Sequence, residues 1–436
     1  MSWYQIEGIV RNMLEWADEK SRQSTRRTRR DWLDWTPTVY FNDIKNFPIK
    51  EFVRELRINE SWPPLDYVIT TDILQLPNLT VVCAVGVFSD ANVCTVLQIN
   101  SLKRFELVFP DEVRFSTFDA FRGRPDVEVC VCFCGDTMYD RGEVPDYLEL
   151  IFNAVNPVEA DFTNLCCDDR AFAKLDRCTN LRKFALSAYW TDTEITNKTI
   201  KRLAKLPLLE SLDLSNTSDT SRPGTPESTS GCSEDDDKAG FEANTIGLLA
   251  GCSNLQTLLL RSNVWVEAET LVDLTRIRNL SYLDISGCNN FLATNLTDIS
   301  MLELVYLNMS KNEEVNVLPT DLLGACPKLE SIVMTDWSSP LTCSGVDFEI
   351  DRFPSLTLID ISRCERVSPG VYIKLATCLT LRTIGLHSLP FTNDDIRSFR
   401  KLPKLRVVKF DPKDRPAEVI NYFHESFDGR AVIRCE

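Results

Sequence analysis

A six-residue pattern, Leu-x-x-Leu-x-Leu with apolar substitutes, returns throughout most of this chain. It reads Leu255-Leu258-Leu260, Leu280-Leu283-Ile285, Leu304-Leu307-Met309, Leu329-Ile332-Met334, Leu356-Ile359-Ile361, Leu381-Ile384-Leu386 and Leu405-Val408-Phe410. Successive copies begin 24 to 27 residues apart. A unit of that length cannot bury its apolar edge alone, so copies must stack and share one continuous core. One apolar triplet means little, whereas seven in register restrict the chain to a ladder of short strands.

The frame extends toward the N-terminus through Leu209-Leu212-Leu214 and Leu181-Phe184-Leu186, then through weaker copies at Pro157-Ala160-Phe162, Val127-Cys130-Cys132, Leu102-Phe105-Leu107, Leu79-Val82-Ala84 and Val53-Leu56-Ile58. A period in the twenties with this pattern is the signature of leucine-rich repeats. The expected fold is an α/β leucine-rich-repeat solenoid, curved, with parallel strands on its concave face and helices on its convex face. The repeats are expected over residues 51–411, between an N-terminal segment, 1–50, and a C-terminal cap, 412–436.

Within each copy the first, fourth and sixth positions point inward. A polar group at the ninth is expected to satisfy backbone groups where the chain leaves the strand. Asn263, Cys288, Asn312 and Cys364 stand there, with Thr217 one insertion earlier. The returns read as helices at 270–276, 320–325 and 371–377. They end in small residues before the next strand: Cys178, Cys252, Cys326 and Cys378.

Three segments break the period. Residues 1–50 carry a helical apolar stripe (Ile6, Ile9, Val10, Met13, Leu14) and then a basic cluster from Arg22 to Arg30. They read as a cap on the open end of the ladder or as a docking helix for an adaptor; the arginines read as a solvated face, an import signal or a nucleic-acid patch. Residues 218–239 are rich in Ser, Thr, Pro and acid without a large apolar side chain, so they cannot offset their ordering entropy and are expected to be disordered. Thr225 before Pro226, and Ser233 before Glu-Asp-Asp, suit proline-directed and acid-directed kinases, so the insertion is either a tolerated linker or a regulatory loop. Residues 412–436 read as a short helix, 416–423, and a closing strand, 431–435.

The balance of 48 basic against 64 acidic residues gives a net charge of −16, which argues against nonspecific binding of the whole molecule to nucleic acid or anionic membrane. No stretch approaches the roughly 18 apolar residues of a membrane span. The first twenty residues lack an apolar signal core, which points to the cytosol or nucleus and to reduced thiols among the sixteen Cys.

No motif for phosphate binding or for a catalytic triad is present, and the chain holds two His, His387 and His424. Cys130, Cys132 and Cys134 alternate along one strand, unlike the C-x₂₋₄-C pairs that curl around zinc, and the repeat frame reads Cys130 and Cys132 as small core residues. No cofactor, metal or enzymatic activity is expected. Binding is expected on the strand wall, where side chains between core positions stand side by side: Arg261, Tyr282, Asp284, Tyr306, Asn308, Lys311, Asp336, Asp360, Arg363 and His387. Trp190, Trp265 and Trp337 fall just beyond strands, where large aromatics are often exposed or half-buried, and Trp337 joins that set.

The phrases LDISGCNN at 283–290, IDISRCERVSPG at 359–370 and LLGACPKLESI at 322–332 resemble the cysteine-containing leucine-rich repeats of F-box receptors. The phrases LAKLPLLESLDLSNTSDTS at 203–221 and RNLSYLDISGCNNF at 278–291 are similar to the repeat domain of the Zyg eleven and Zer-one group. The resemblance spans roughly residues 180 to 410. Both families are substrate receptors of cullin-RING ubiquitin ligases, which implies a role in choosing proteins for ubiquitination, with a cullin adaptor and a ubiquitination substrate as partners. The other reading is a regulatory or structural scaffold for one dedicated protein, with no ligase link.

Overall fold

A computed structural model describes residues 38–40, 54–59, 74, 76–85, 90–109, 120–133, 148–149, 151–153, 155–163, 165, 167–187, 195–217, 245–291, 295, 299, 302–312, 326–337, 350, 353–364, 367–411, 413, 417–427 and 431–434. The chain divides into two compact units, Met1–Thr137 with Asp146–Asp161, and Met138–Pro145 with Phe162–Glu436.

The first unit contains β1 (Thr38–Tyr40), β2 (Glu55–Asn59), β3 (Val81–Val85), β4 (Arg104–Phe109), β5 (Glu128–Phe133) and β6 (Glu159–Asp161), with helix α1 (Asp90–Leu97) between β3 and β4. Its strands pair in chain order, all parallel. Leu56, Val82 and Phe105 align across the ladder and are buried.

The second unit contains β7 (Lys183–Ala185), β8 (Ser211–Asp213), β9 (Thr257–Leu259), β10 (Tyr282–Asp284), β11 (Tyr306–Asn308), β12 (Ser331–Val333), β13 (Leu358–Asp360), β14 (Thr383–Gly385), β15 (Val407–Lys409) and β16 (Val432–Arg434). These strands are also parallel and paired in chain order. The fourth-position residues Phe184, Leu212, Leu258, Leu283, Leu307, Ile332, Ile359, Ile384 and Val408 line up one over the next and are all buried. The fold is that of a leucine-rich-repeat ladder. The expected triplets are its inward rows, and the closing strand predicted at 431–435 is β16, paired to β15.

The returns carry α2 (Asn197–Leu203), α3 (Ala268–Leu274), α4 (Pro369–Leu375), α5 (Asn393–Phe399) and α6 (Ala417–Phe427), with 3-10 turns at Leu175–Arg177 and Ile246–Gly251. Each is short, so its ends need explicit partners. Asp169 accepts from Thr199 N at 3.2 Å and Thr199 Oγ1 at 2.6 Å, closing the start of α2 from the preceding return. Thr392 and Asp395 form a reciprocal capping box on α5. Pro369 opens α4, where its missing N–H costs nothing. The helix predicted at 320–325 lies outside the described residues.

One expected register is corrected. In β5 the residues aligned with Phe105 and Leu107 are Val129 and Val131, while Cys130 aligns with Glu106. The sequence EVCVCF is apolar on both parities, so the periodicity alone could not choose the inward face, and a slip by one residue exchanges the two. Val129 and Val131 fill the core. Cys130 lies on the opposite parity between Glu106 and Glu159. Arg104 spans that thiol, meeting Glu106 at 2.7 Å and Glu159 at 2.9 Å. Burial opposes the guanidinium's charge, but the two carboxylates outweigh it and hold its pKa above the usual value.

Candidate protein-binding face

The turn leaving each strand is built the same way in seven successive rungs. The eighth residue takes a left-handed backbone: Asn216, Ser262, Lys311, Asp336, Arg363 and Ser388 have φ between 54° and 58°, and Gly287 has φ 70°. Six of the seven are not glycine, although an L-residue in that region costs about 1–2 kcal/mol. The ladder therefore imposes the conformation. Lys311, Asp336 and Arg363, expected on the strand wall, sit on this turn; Lys311 and Arg363 are exposed and Asp336 is half-buried.

The ninth residue then reaches back to the sixth carbonyl of the rung before. Asn263 Nδ2 donates to Leu214 O at 2.7 Å, Cys288 Sγ to Leu260 O at 3.0 Å, Asn312 Nδ2 to Ile285 O at 3.2 Å and Cys364 Sγ to Met334 O at 3.1 Å. Between Asn312 and Cys364 the same task falls to Trp337, whose Nε1 donates to Met309 O at 2.8 Å. Trp337 is 1% exposed, so its expected place on the binding surface is corrected: it is a core residue that completes the ladder. Counting nine from Leu329 would have found it. Its apolar bulk hid the one N–H that matters. Trp265 is half-buried, and Trp190 lies outside the described residues.

On the strand wall, an Asp or Asn at the fifth position clasps a Ser at the seventh. Ser215 Oγ donates to Asp213 Oδ1 at 2.6 Å, Ser286 Oγ to Asp284 Oδ1 at 2.7 Å and Ser310 Oγ to Asn308 Oδ1 at 2.7 Å, while Ser362 N donates to Asp360 Oδ1 at 3.1 Å. The serine oxygen in turn accepts from the next rung's backbone, as from Thr335 N at 2.9 Å and His387 N at 3.0 Å. These serines were not singled out from the sequence, although the recurring Asp/Asn-x-Ser is visible in it.

Asp284 is the centre of the wall. It is 1% exposed yet fully engaged: Ser286 holds Oδ1, while Arg261 Nε at 2.8 Å and Asn308 Nδ2 at 3.0 Å hold Oδ2. A buried carboxylate is tolerable only when paired and hydrogen-bonded in this way. Tyr282 and Tyr306 stack in parallel, with ring centroids 3.9 Å apart and 4° between planes. Burial raises the pKa of Tyr306, and the hydrogen bond its hydroxyl donates to Tyr282 adds to the effect. The structure thus brings Arg261, Tyr282, Asp284, Tyr306 and Asn308 into one cluster, with Asp284 beneath its surface rather than on it.

The remaining expected residues form a second group. Asp360 is 6% exposed and is likewise removed from the surface; it lies over Gly385, where a Cβ would come within 2.1 Å of Oδ1, and reaches Lys409 Nζ at 3.6 Å two rungs on. Gly385 is thus required for close approach rather than for backbone freedom. Neither Gly385 nor Lys409 was anticipated. Arg363 approaches Asp336 at 4.0 Å. His387 is half-buried, and its Nε2 has no hydrogen-bond partner among the described residues.

Burial pushes the thiols of Cys130, Cys178, Cys288 and Cys364 up to about 12 and those of Cys252 and Cys326 up to about 11. Such thiols stay protonated at neutral pH and are poor nucleophiles. Among the described residues, no group of three or more His, Cys, Asp or Glu is placed to hold a metal ion, and no helix is long and apolar enough to cross a membrane. Thr225, Ser233 and the Arg22–Arg30 cluster lie outside the described residues.

No protein-family model matches this chain, and no curated protein does. Solved structures do. TLR13, solved as a complex with a single-stranded RNA, is 15% identical with a TM-score of 0.46; the match covers 86% of this chain and 58% of that one, so this chain spans little more than half the TLR13 length. An internalin of Listeria monocytogenes is 11% identical over 89% of this chain and 87% of its own, with a TM-score of 0.43. A leucine-rich-repeat protein of Leptospira interrogans is 12% identical over 91% and 94%, with a TM-score of 0.44.

Proposed function

We propose that this chain is a non-enzymatic protein-interaction scaffold that binds through the strand wall around Tyr282 and Tyr306. The observation that carries it is the stacked tyrosine pair resting on the Arg261–Asp284–Asn308 network. The polar groups beneath the rings already have partners, so a protein docking there would meet a preorganised aromatic patch with little left to order or desolvate. Capture of partners from cells with the Tyr282→Ala/Tyr306→Ala chain, against wild type, tests this. Selective loss of partners is expected, and an unchanged set would refute the assignment of this face.

The finer proposal is a substrate-recognition subunit of a cullin-RING ubiquitin ligase, acting in the cytosol or nucleus. Its support is the resemblance of residues 180 to 410 to the repeats of such receptors. Affinity purification should recover a Skp, elongin or cullin component, and deletion of residues 1–50 should abolish that recovery while substrate binding persists. Recovery of partners without any ligase component would leave a scaffold with a dedicated partner.

A further inference from the structure

Charges at equivalent places on neighbouring rungs are complementary at two points in the second unit. Arg182 and Glu210, each second in its rung, form an ion pair. Glu303 and Lys328, each just ahead of its rung, pair at 2.5 Å. At the C-terminal end of the repeats this pattern reverses. Arg382 and Arg406 are both second in their rungs and both exposed, and Arg406 N donates to Arg382 O at 2.8 Å, so like charges face each other one strand spacing apart, about 4.8 Å. Arg406 Nη1 turns back to Leu405 O at 3.4 Å; neither guanidinium has a carboxylate within 4.0 Å among the described residues.

The nearby acids are engaged elsewhere. Residues 371–411 hold eight Lys or Arg against three Asp or Glu, in a chain of net charge −16. Asp394 pairs with Arg397 at 2.6 Å, Asp395 caps α5, and Asp411 accepts from Lys413 N at 2.9 Å. Like charges opposite one another on a sheet destabilise it, so this pair costs the fold something that the adjoining rungs avoid. Directly beside the arginines, the third-position row runs Leu358, Thr383, Val407, Val432 across neighbouring strands, and Val432 is 49% exposed.

Resting on the scaffold assignment above, we infer that Arg382 and Arg406 receive an acidic peptide segment of the partner protein, with an aliphatic side chain next to its carboxylates lying on the Leu358–Val432 row. A peptide with a few carboxylates satisfies the two guanidiniums. A nucleic acid, with a charge about every 1.7 Å of duplex, brings more negative charge than the two guanidiniums can match.

The test uses the full chain and fluorescence anisotropy at low ionic strength, with a labelled poly-glutamate of about 20 residues and a poly-uridine RNA of similar length as probes. Arg382→Glu/Arg406→Glu should weaken poly-glutamate binding about ten-fold or more, with affinity falling as salt is added, whereas Arg397→Glu on α5 should change it less than about two-fold. Equal binding by all three chains, no poly-glutamate binding by wild type, or arginine-dependent binding of RNA alone would overturn the inference. The arginines are exposed, and an unchanged circular dichroism spectrum checks that the variant folds. If captured partners need the tyrosines but ignore the two arginines, the scaffold stands and the acidic-segment inference fails. If poly-glutamate binding needs the arginines while the tyrosines affect no partner, the inference stands and the tyrosine face fails.

Discussion

Asn263, Cys288, Asn312, Trp337 and Cys364 all donate to the sixth carbonyl of the preceding rung, yet they differ widely in size and polarity. The position requires a donor at the right reach, and the local core adapts to the rest of the side chain. Trp337→Phe keeps most of the volume but strands Met309 O, so it should cost about 1–3 kcal/mol. Trp337→Ala adds a cavity and should cost about 3–5 kcal/mol. Urea midpoints at unchanged slope measure both, and a neutral Trp337→Phe would show that the indole N–H is dispensable. The thiols set a pH limit. Unfolded, they ionise near 9.0; folded, they stay protonated to about 11 or 12. Their raised folded pKa contributes stability that is complete below about pH 9 and is lost as pH climbs toward 11 or 12. A thermal midpoint flat to about pH 8 and falling steadily above about 9 is expected, and a midpoint level to pH 11 would contradict it. Most of this residue-scale logic was legible where the ninth residue is Asn or Cys. It was illegible at Trp337, because an indole reads as bulk, and at Asp284 and Asp360, because the partners that permit their burial stand on other rungs.

The repeating element is the strand and its left-handed exit. Six non-glycine residues hold φ between 54° and 58° there, and relief of that strain is partly offset by glycine's larger entropy loss of about 0.5–1 kcal/mol. Lys311→Gly should therefore be neutral or stabilising by up to about 1 kcal/mol. Gly287→Val should be destabilising by about 2 kcal/mol, since a β-branched residue is least tolerant of that φ and a Cβ there would stand 2.9 Å from Ser262 Oγ. Chemical denaturation of the two variants gives both signs. The strands themselves were readable from the triplets, because Leu, Ile and Val on one parity alternate with polar residues on the other. The exception, β5, shows why: where both parities are apolar, hydrophobic alternation carries no information about which side faces in, and pairing with β4 decides it.

At the scale of the molecule, each rung depends on the next for its hydrogen bonds and for its cover. The last repeat triplet is covered by the elements that follow it: Phe410 packs against Phe423 of α6 at 6.0 Å, and β16 pairs with β15. Removing residues 412–436 should bare that edge, and the shortened chain is expected to self-associate on size-exclusion chromatography where the full chain does not. The seal on each exit has a further consequence at Thr217. That residue is held by its own bond to Leu214 O at 2.9 Å and by Asn263 Oδ1, which accepts from Thr217 N at 2.9 Å. The next described residue is Thr245, hydrogen-bonded to Asn197. The rung is thus held on both flanks of the intervening stretch, at Thr217 and at Thr245, by contacts between described residues. A foreign domain spliced between Thr217 and Thr245 should leave the unfolding midpoint of the ladder in place, which makes this exit a socket for cargo.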